Sequence, residues 1–199
     1  GGAEELIVER LKVAQSSIDV AAHEFTRAQL AAPMATAAAR GVRVRVLYDD
    51  GHQVAASETA RALLCRAGAT VLEEKAVGTL HDKYAVIDWP GISDEESAIA
   101  GTPVVLTGSA NWSTNGMTRN DENVIAVYSA EVAAAFTRDF ETLIGGAVED
   151  LCVEPSLTPS SSPRPSPTPT ALPSPGETPA GAVHVVYFPV LEGGDDSVP

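Results

Sequence analysis

The sequence predicts an α/β domain: a mixed β-sheet sandwiched by helices, followed by a disordered Pro/Ser/Thr-rich tail. Three observations predict it. Over residues 1–150, segments with helical spacing alternate with short β-branched runs. Several strand-like runs then follow one another before a last amphipathic segment, which implies a mixed rather than a purely parallel sheet. Finally, composition shifts abruptly near Pro155 to almost pure Pro, Ser and Thr.

The elements follow in order. "AEELIVERLKVAQS" puts Leu6, Ile7, Leu11 and Ala14 on one helix face, and "SIDVAAHEF" is strand-like. "AQLAAPMATAAARG" is an Ala-rich helix closed by Gly41, with Pro33 in its first turns. "VRVRVLYDD" is a strand with Arg43 and Arg45 opposite Val42, Val44 and Val46. Those arginines read as a solvated face, or alternatively as a basic strip. "SETARALLCRAG" is a helix with Ser57 as N-cap and Gly68 as its stop. "ATVLEE", "KYAVID", "PVVLTGS" and "ENVIAVY" are four further strands, and "SAEVAAAFTRDFETLIGG" is the closing helix.

Residues 1–150 thus form one domain. Within it, 89–102 ("WPGISDEESAIAGT") reads as an exposed polar insert. Residues 151–181 form a Pro/Ser/Thr-rich linker that cannot bury enough apolar surface to fold. Residues 182–199 form a short strand-like patch with an acidic end. The patch reads first as detached, and otherwise as a truncated second repeat or a strand docked on the sheet edge. Such stalks are commoner outside the cell, so an extracellular or cell-surface location is expected.

Net charge is −14, which argues mildly against a polyanionic partner, and no apolar run approaches the length that spans a bilayer. The chain opens on Gly1 with no signal-peptide pattern, which reads as a processed chain or a fragment. Cys65 and Cys152 lack metal-ligand spacing. They read as small hydrophobes or free thiols, with a single disulfide as the alternative.

Three polar clusters interrupt the apolar pattern: "HDK" at 81–83, "GSANWS" at 108–113 and "NDEN" at 120–123. On a period-2 strand His81 and Lys83 share one face, while Asp82, Tyr84 and Asp88 take the other. Asp88 therefore reads as an anchor for a neighbouring loop or backbone. Ser109 and Asn111 share a parity on the next strand. Lys, Asn and Ser donors suit the oxygens of a phosphate, and a neutral His can act as nucleophile or base. Such a His needs a carboxylate on its other nitrogen, and with Asp82 on the other face Glu122 is the nearest candidate in sequence. No His/Cys/carboxylate cluster suggests a metal, so no metal and no cofactor is expected. His23 either faces this site or is an ordinary strand histidine. Trp112 reads as packing or rim, and His52 and His184 as incidental.

"HDKYAVID" fits the H-x-K-x4-D signature of the phospholipase D superfamily, which this sequence resembles over nearly all of residues 1–148. "GSANWS" and "NDEN" fit the two segments that follow in that family, and "SIDVAAHEFT" and "GVRVRVLYDD" its two preceding strands. The resemblance implies that His81 attacks phosphorus to form a phosphohistidine. Lys83 and Asn111 would bind the phosphate with Ser109 in support, and Glu122 would orient His81. It also implies a homodimer with a shared active site, because the family pairs two motifs and this chain has one. There are departures. "WP" follows Asp88, the gap from Asp88 to Gly108 is long, His23 stands where Tyr is common, and the first family strand is missing.

Three functions remain open: cleavage of a lipid head-group phosphodiester, a nuclease of the same mechanism, and a non-catalytic surface-tethered binding module. Residues 1–150 carry 12 Lys and Arg against 22 Asp and Glu, with no basic cluster, which favours the lipid slightly. The complete motif set opposes the third reading.

Overall fold

The computed structural model describes residues 2–49, 55–76, 78–89, 103–146, 148–152 and 183–188. The expected insert, linker and acidic end, and His52, lie outside them, apart from Trp89 and the linker's first two residues. The elements are α1 (Ala3–Val13), β1 (Ser17–Ala22), α2 (Ala28–Ala39), β2 (Arg43–Asp49), α3 (Ala55–Arg66) and β3 (Thr70–Glu74). They continue as β4 (Lys83–Ile87), β5 (Val104–Gly108), α4 (Thr114–Thr118), β6 (Glu122–Tyr128), α5 (Ala130–Ile144), β7 (Val148–Asp150) and β8 (Val183–Phe188).

The strands form one mixed sheet in the order β7-β3-β2-β1-β4-β5-β6-β8. β1, β2 and β3 run parallel, joined through α2 and α3. The β1–β4, β4–β5, β5–β6, β6–β8 and β3–β7 pairs are antiparallel. Alternation along each strand sorts side chains to two cores. Ile18, Val20, Val44, Val46, Ala85, Ile87 and Leu106 pack with Ile7, Leu11, Leu30, Met34 and Leu64 of α1, α2 and α3. Ala21, Leu47, Tyr84, Val86 and Val105 face Ala133 and Phe140 of α5. Helices therefore cover both faces of the sheet.

Several expectations are corrected. Cys65 and Cys152 are joined in a disulfide across 87 positions, tying α3 to the chain just after β7. The 182–199 patch is not detached: Val183–Val127 through Phe188–Glu122 pair β8 with the edge of β6. α3 begins at Ala55, so Ser57 lies inside it rather than capping it. Arg43 and Arg45 are not simply solvated. Asp19, 1% exposed, binds both, Arg45 through Nε at 2.7 Å, and Arg45 also binds Glu141 at 2.7 Å. Asp19 and Arg45 are direct partners in the β1–β2 register, and Glu141 lies on α5, so opposed charges meet on the face that α5 covers. α4 and β7 have no counterpart in the sequence reading.

Candidate active site

The carboxyl ends of β1, β2, β3 and β5 and the amino ends of β4 and β6 meet at one edge of the sheet. All three polar clusters lie there. The regular strand starts at Lys83, so His81 sits two residues ahead of it and is exposed. Lys83 Nζ donates to the His81 carbonyl at 2.8 Å, which puts the ammonium beside that residue. Burial lowers the Lys83 ammonium from its ordinary value, opposed by the carboxylates of Asp82, Glu122 and Glu24. Lys83 is thus a partly desolvated amine whose lowering the three nearby carboxylates partly offset.

Asp82 takes the opposite parity. Burial, and then the charge of Asp139, raise its carboxyl above the usual value, against Lys83 and His81. On the same side Tyr84 donates its hydroxyl to Asp139 Oδ2 at 2.7 Å, and its ring meets Phe136 edge-on.

The stretch after β1 binds the 80–82 segment. His23, 9% exposed, donates its backbone N–H to the Asp82 carbonyl at 2.8 Å. Its Nδ1 lies 2.9 Å from the Leu80 carbonyl, and its ring centroid is 4.7 Å from that of His81. The next residues hold the "GSANWS" loop. Trp112 N–H donates to Glu24 O, while Thr26 and Arg27 N–H donate to Trp112 O, each at 3.0 Å. Phe25 and Trp112 pair rings at 5.6 Å. Trp112 is therefore packing, and residues 23–27 tie two of the polar clusters together.

Gly108 permits the turn out of β5. Its φ is +147°, and a Cβ there would lie 2.1 Å from the Asn123 carbonyl oxygen. That close approach lets Ser109 bond β6: its Oγ accepts from Asn123 N–H at 3.0 Å and Nδ2 at 3.3 Å. The Ser109 hydroxyl proton remains for a further acceptor. Asn111 is half-buried, and its buried Oδ1 has no hydrogen-bond partner among the described residues. Behind it, Gly116 of α4 approaches so closely that a Cβ would fall 2.2 Å from the Asn111 carbonyl oxygen. Gly116 is a supporting residue that sequence reasoning missed; the signal was the capping Ser113 three positions before it, whose Oγ accepts from Gly116 N–H at 3.3 Å.

Glu122 reaches the same edge but does not bond His81. Its Oε1 accepts from Asn120 Nδ2 at 3.0 Å, and its charge acts on Lys83. Asp88 is remote. It follows the far end of β4, about 20 Å from His81 at the rise of an extended strand. Its Oδ1 accepts from Gln15 N–H at 2.7 Å, Ser16 N–H at 2.9 Å and Ser16 Oγ at 3.3 Å. Its own N–H donates to Ser17 O at 2.9 Å, and its φ is +60°, a conformation that Asp tolerates better than most residues. The signature's three polar residues thus divide between two ends of one strand. Among the described residues no group of three or more His, Cys, Asp or Glu side chains could hold a metal ion, and no helix is long and apolar enough to cross a membrane.

The family model described as "Cardiolipin synthase, PLD-like domain" matches residues 7–144. Mitochondrial cardiolipin hydrolase from Mus musculus is 30% identical over 137 residues, covering 69% of this chain and 56% of the relative. The Xenopus tropicalis protein of that name is 34% identical over 130 residues, covering 65% and 55%. The chain therefore spans about half the length of these relatives. Among solved structures, Nuc from Salmonella typhimurium, a phospholipase D family member, aligns with a TM-score of 0.64 at 23% identity. That alignment covers 73% of this chain and 88% of Nuc, and shows a shared fold.

Proposed function

This chain belongs to the phospholipase D superfamily, and on that premise we propose that it is a metal-independent phosphodiesterase acting through His81. The observation that carries the reading is the convergence at one sheet edge: an exposed imidazole, a partly desolvated ammonium whose Nζ bonds the His81 carbonyl, and the "GSAN" loop pinned beside them. A neutral His81 ring nitrogen attacks phosphorus. A P–N bond forms as the P–O bond to the leaving group breaks, and the leaving oxygen takes a proton. Water then breaks the P–N bond, releasing the phosphomonoester and His81. Lys83, Asn111 and the Ser109 hydroxyl hold the non-bridging oxygens and stabilise the charge that develops on them. Glu122 supports Lys83 electrostatically, and Asp88 serves the strand.

The leaving group needs an acid, and this chain carries one motif. We assign that role to His81 of the partner subunit in a homodimer with a shared active site. A lipid head-group phosphodiester is the favoured substrate. Its support is the acidic charge balance, 12 Lys and Arg against 22 Asp and Glu over residues 1–150, together with the names of the curated relatives. The disulfide and the Pro/Ser/Thr-rich composition favour an extracellular or cell-surface site of action.

The test is a parallel assay of cardiolipin, phosphatidylcholine and single-stranded DNA at equal enzyme concentration. Release of lipid products alone supports the reading. Turnover of DNA alone replaces it with a nuclease, and turnover of none, on a folded protein, leaves a binding module. Sedimentation of the active species as a monomer would remove the shared site.

A further inference from the structure

His81 lies outside the regular ladder of β4, so sheet hydrogen bonds alone do not fix it. Three consecutive carbonyls around it are nevertheless all engaged. Leu80 O faces His23 Nδ1 at 2.9 Å, His81 O accepts from Lys83 Nζ at 2.8 Å, and Asp82 O accepts from His23 N–H at 2.8 Å. One residue, His23, thus grips the segment on both sides of His81. A carbonyl oxygen only accepts, so Nδ1 of His23 carries a proton. The His23 ring is buried, and it lies against the His81 ring with centroids 4.7 Å apart and planes inclined by 53°.

We propose that His23 is a positioning residue for His81: its backbone and Nδ1 clamp residues 80 and 82, and its ring sets the plane in which the His81 imidazole lies. This rests on the reading of His81 as the reacting group. The clamp acts on geometry rather than on substrate, so its loss lowers turnover and spares binding. Misplacement of a reacting group by about 1 Å costs on the order of 100-fold in rate. The same residue leads into 24–27, whose backbone holds Trp112, so the clamp also sets His81 relative to the Asn111 loop.

Two variants separate the ring from the donor. His23→Phe keeps an aromatic ring and removes Nδ1–H. His23→Asn removes the ring and offers an amide N–H near the Nδ1 position. The expected result is a kcat about 10- to 100-fold lower in His23→Phe with KM within about twofold. His23→Asn, which restores the donor without the ring, should recover part of that loss, the remainder being the share of the ring. Wild-type kinetics in both variants would overturn the proposal. Equal losses in both, with unchanged melting temperatures, would overturn the donor's part in it. Histidine-selective nitrogen NMR on the wild-type protein reads the clamp without any variant. It should show the His23 proton on Nδ1, and a proton on Nε2 alone would overturn the proposal. His81→Ala is the control. If it keeps full turnover, the reading of His81 fails. If it is inactive while both His23 variants match wild type, the clamp alone fails.

Discussion

The Cys65–Cys152 bond gives the most quantitative prediction. It links α3 to the chain after β7, the three-residue strand that pairs with the β3 edge. Removing it frees a loop of 87 residues in the unfolded chain. The loop-entropy relation puts that at about 4.6 kcal/mol at 25 °C. For a folded unit of this size one kcal/mol shifts the midpoint by about 2–4 °C, so the double variant Cys65→Ser/Cys152→Ser should melt about 10–15 °C lower. Removing both sulfurs avoids a reactive lone thiol. The assay is calorimetry of wild type and double variant, each with and without reductant. Reductant should lower the wild-type midpoint toward the variant's and leave the variant unmoved. A difference under 2 °C, or two titratable thiols in the denatured, unreduced wild type, would refute the reasoning.

The other predictions concern the strand that carries the motif. Asp88→Ala removes the acceptor for two backbone N–H groups and one hydroxyl, and should cost about 3 kcal/mol in denaturant melts, with kcat per folded molecule within threefold. An unchanged midpoint, or a selective loss of kcat, would contradict the anchoring role. Asp82 holds its proton more tightly folded than unfolded, so stability should fall as pH rises through the window just above 3.8. Asp82→Asn should abolish that fall, and melts between pH 3 and 6 that parallel wild type would sink the assignment. Turnover should persist after EDTA dialysis, because Lys83, Ser109 and Asn111 supply the phosphate donors; loss restored by a divalent ion would point to a metal step.

Most of the architecture was legible in the sequence because it is periodic. Alternating valines mark β2, and helical spacing marks α1 and α5. Parity along "HDKYAVID" separated His81 and Lys83 from Asp88, and the bonds of Asp88 to Gln15 and Ser16 lie at the opposite end of the strand. What escaped was pairing at long range. Asp19 and Arg45 become neighbours only once the β1–β2 register is known. Cys65 and Cys152 carry no spacing that reveals their bond, and nothing in "VHVVYF" says which edge accepts it. α4 and β7 are too short for periodicity to mark. His23 was visible as a polar residue closing an apolar strand, but its grip on Leu80 and Asp82 depends on β1 and β4 being neighbours. Glu122 shows the converse: the family resemblance implied a bond to His81, whereas the local turn gives its oxygen to Asn120.

The central claim is a covalent phosphohistidine on His81. Its most direct measurement is mass spectrometry of the enzyme quenched at alkaline pH during turnover of an aryl phosphodiester, where the P–N bond survives. The account predicts a phosphoryl adduct that retains the non-leaving ester group on the peptide containing His81, formed no more slowly than turnover and absent in His81→Ala, which should be inactive. An adduct on another residue, or undiminished turnover by His81→Ala, would contradict it.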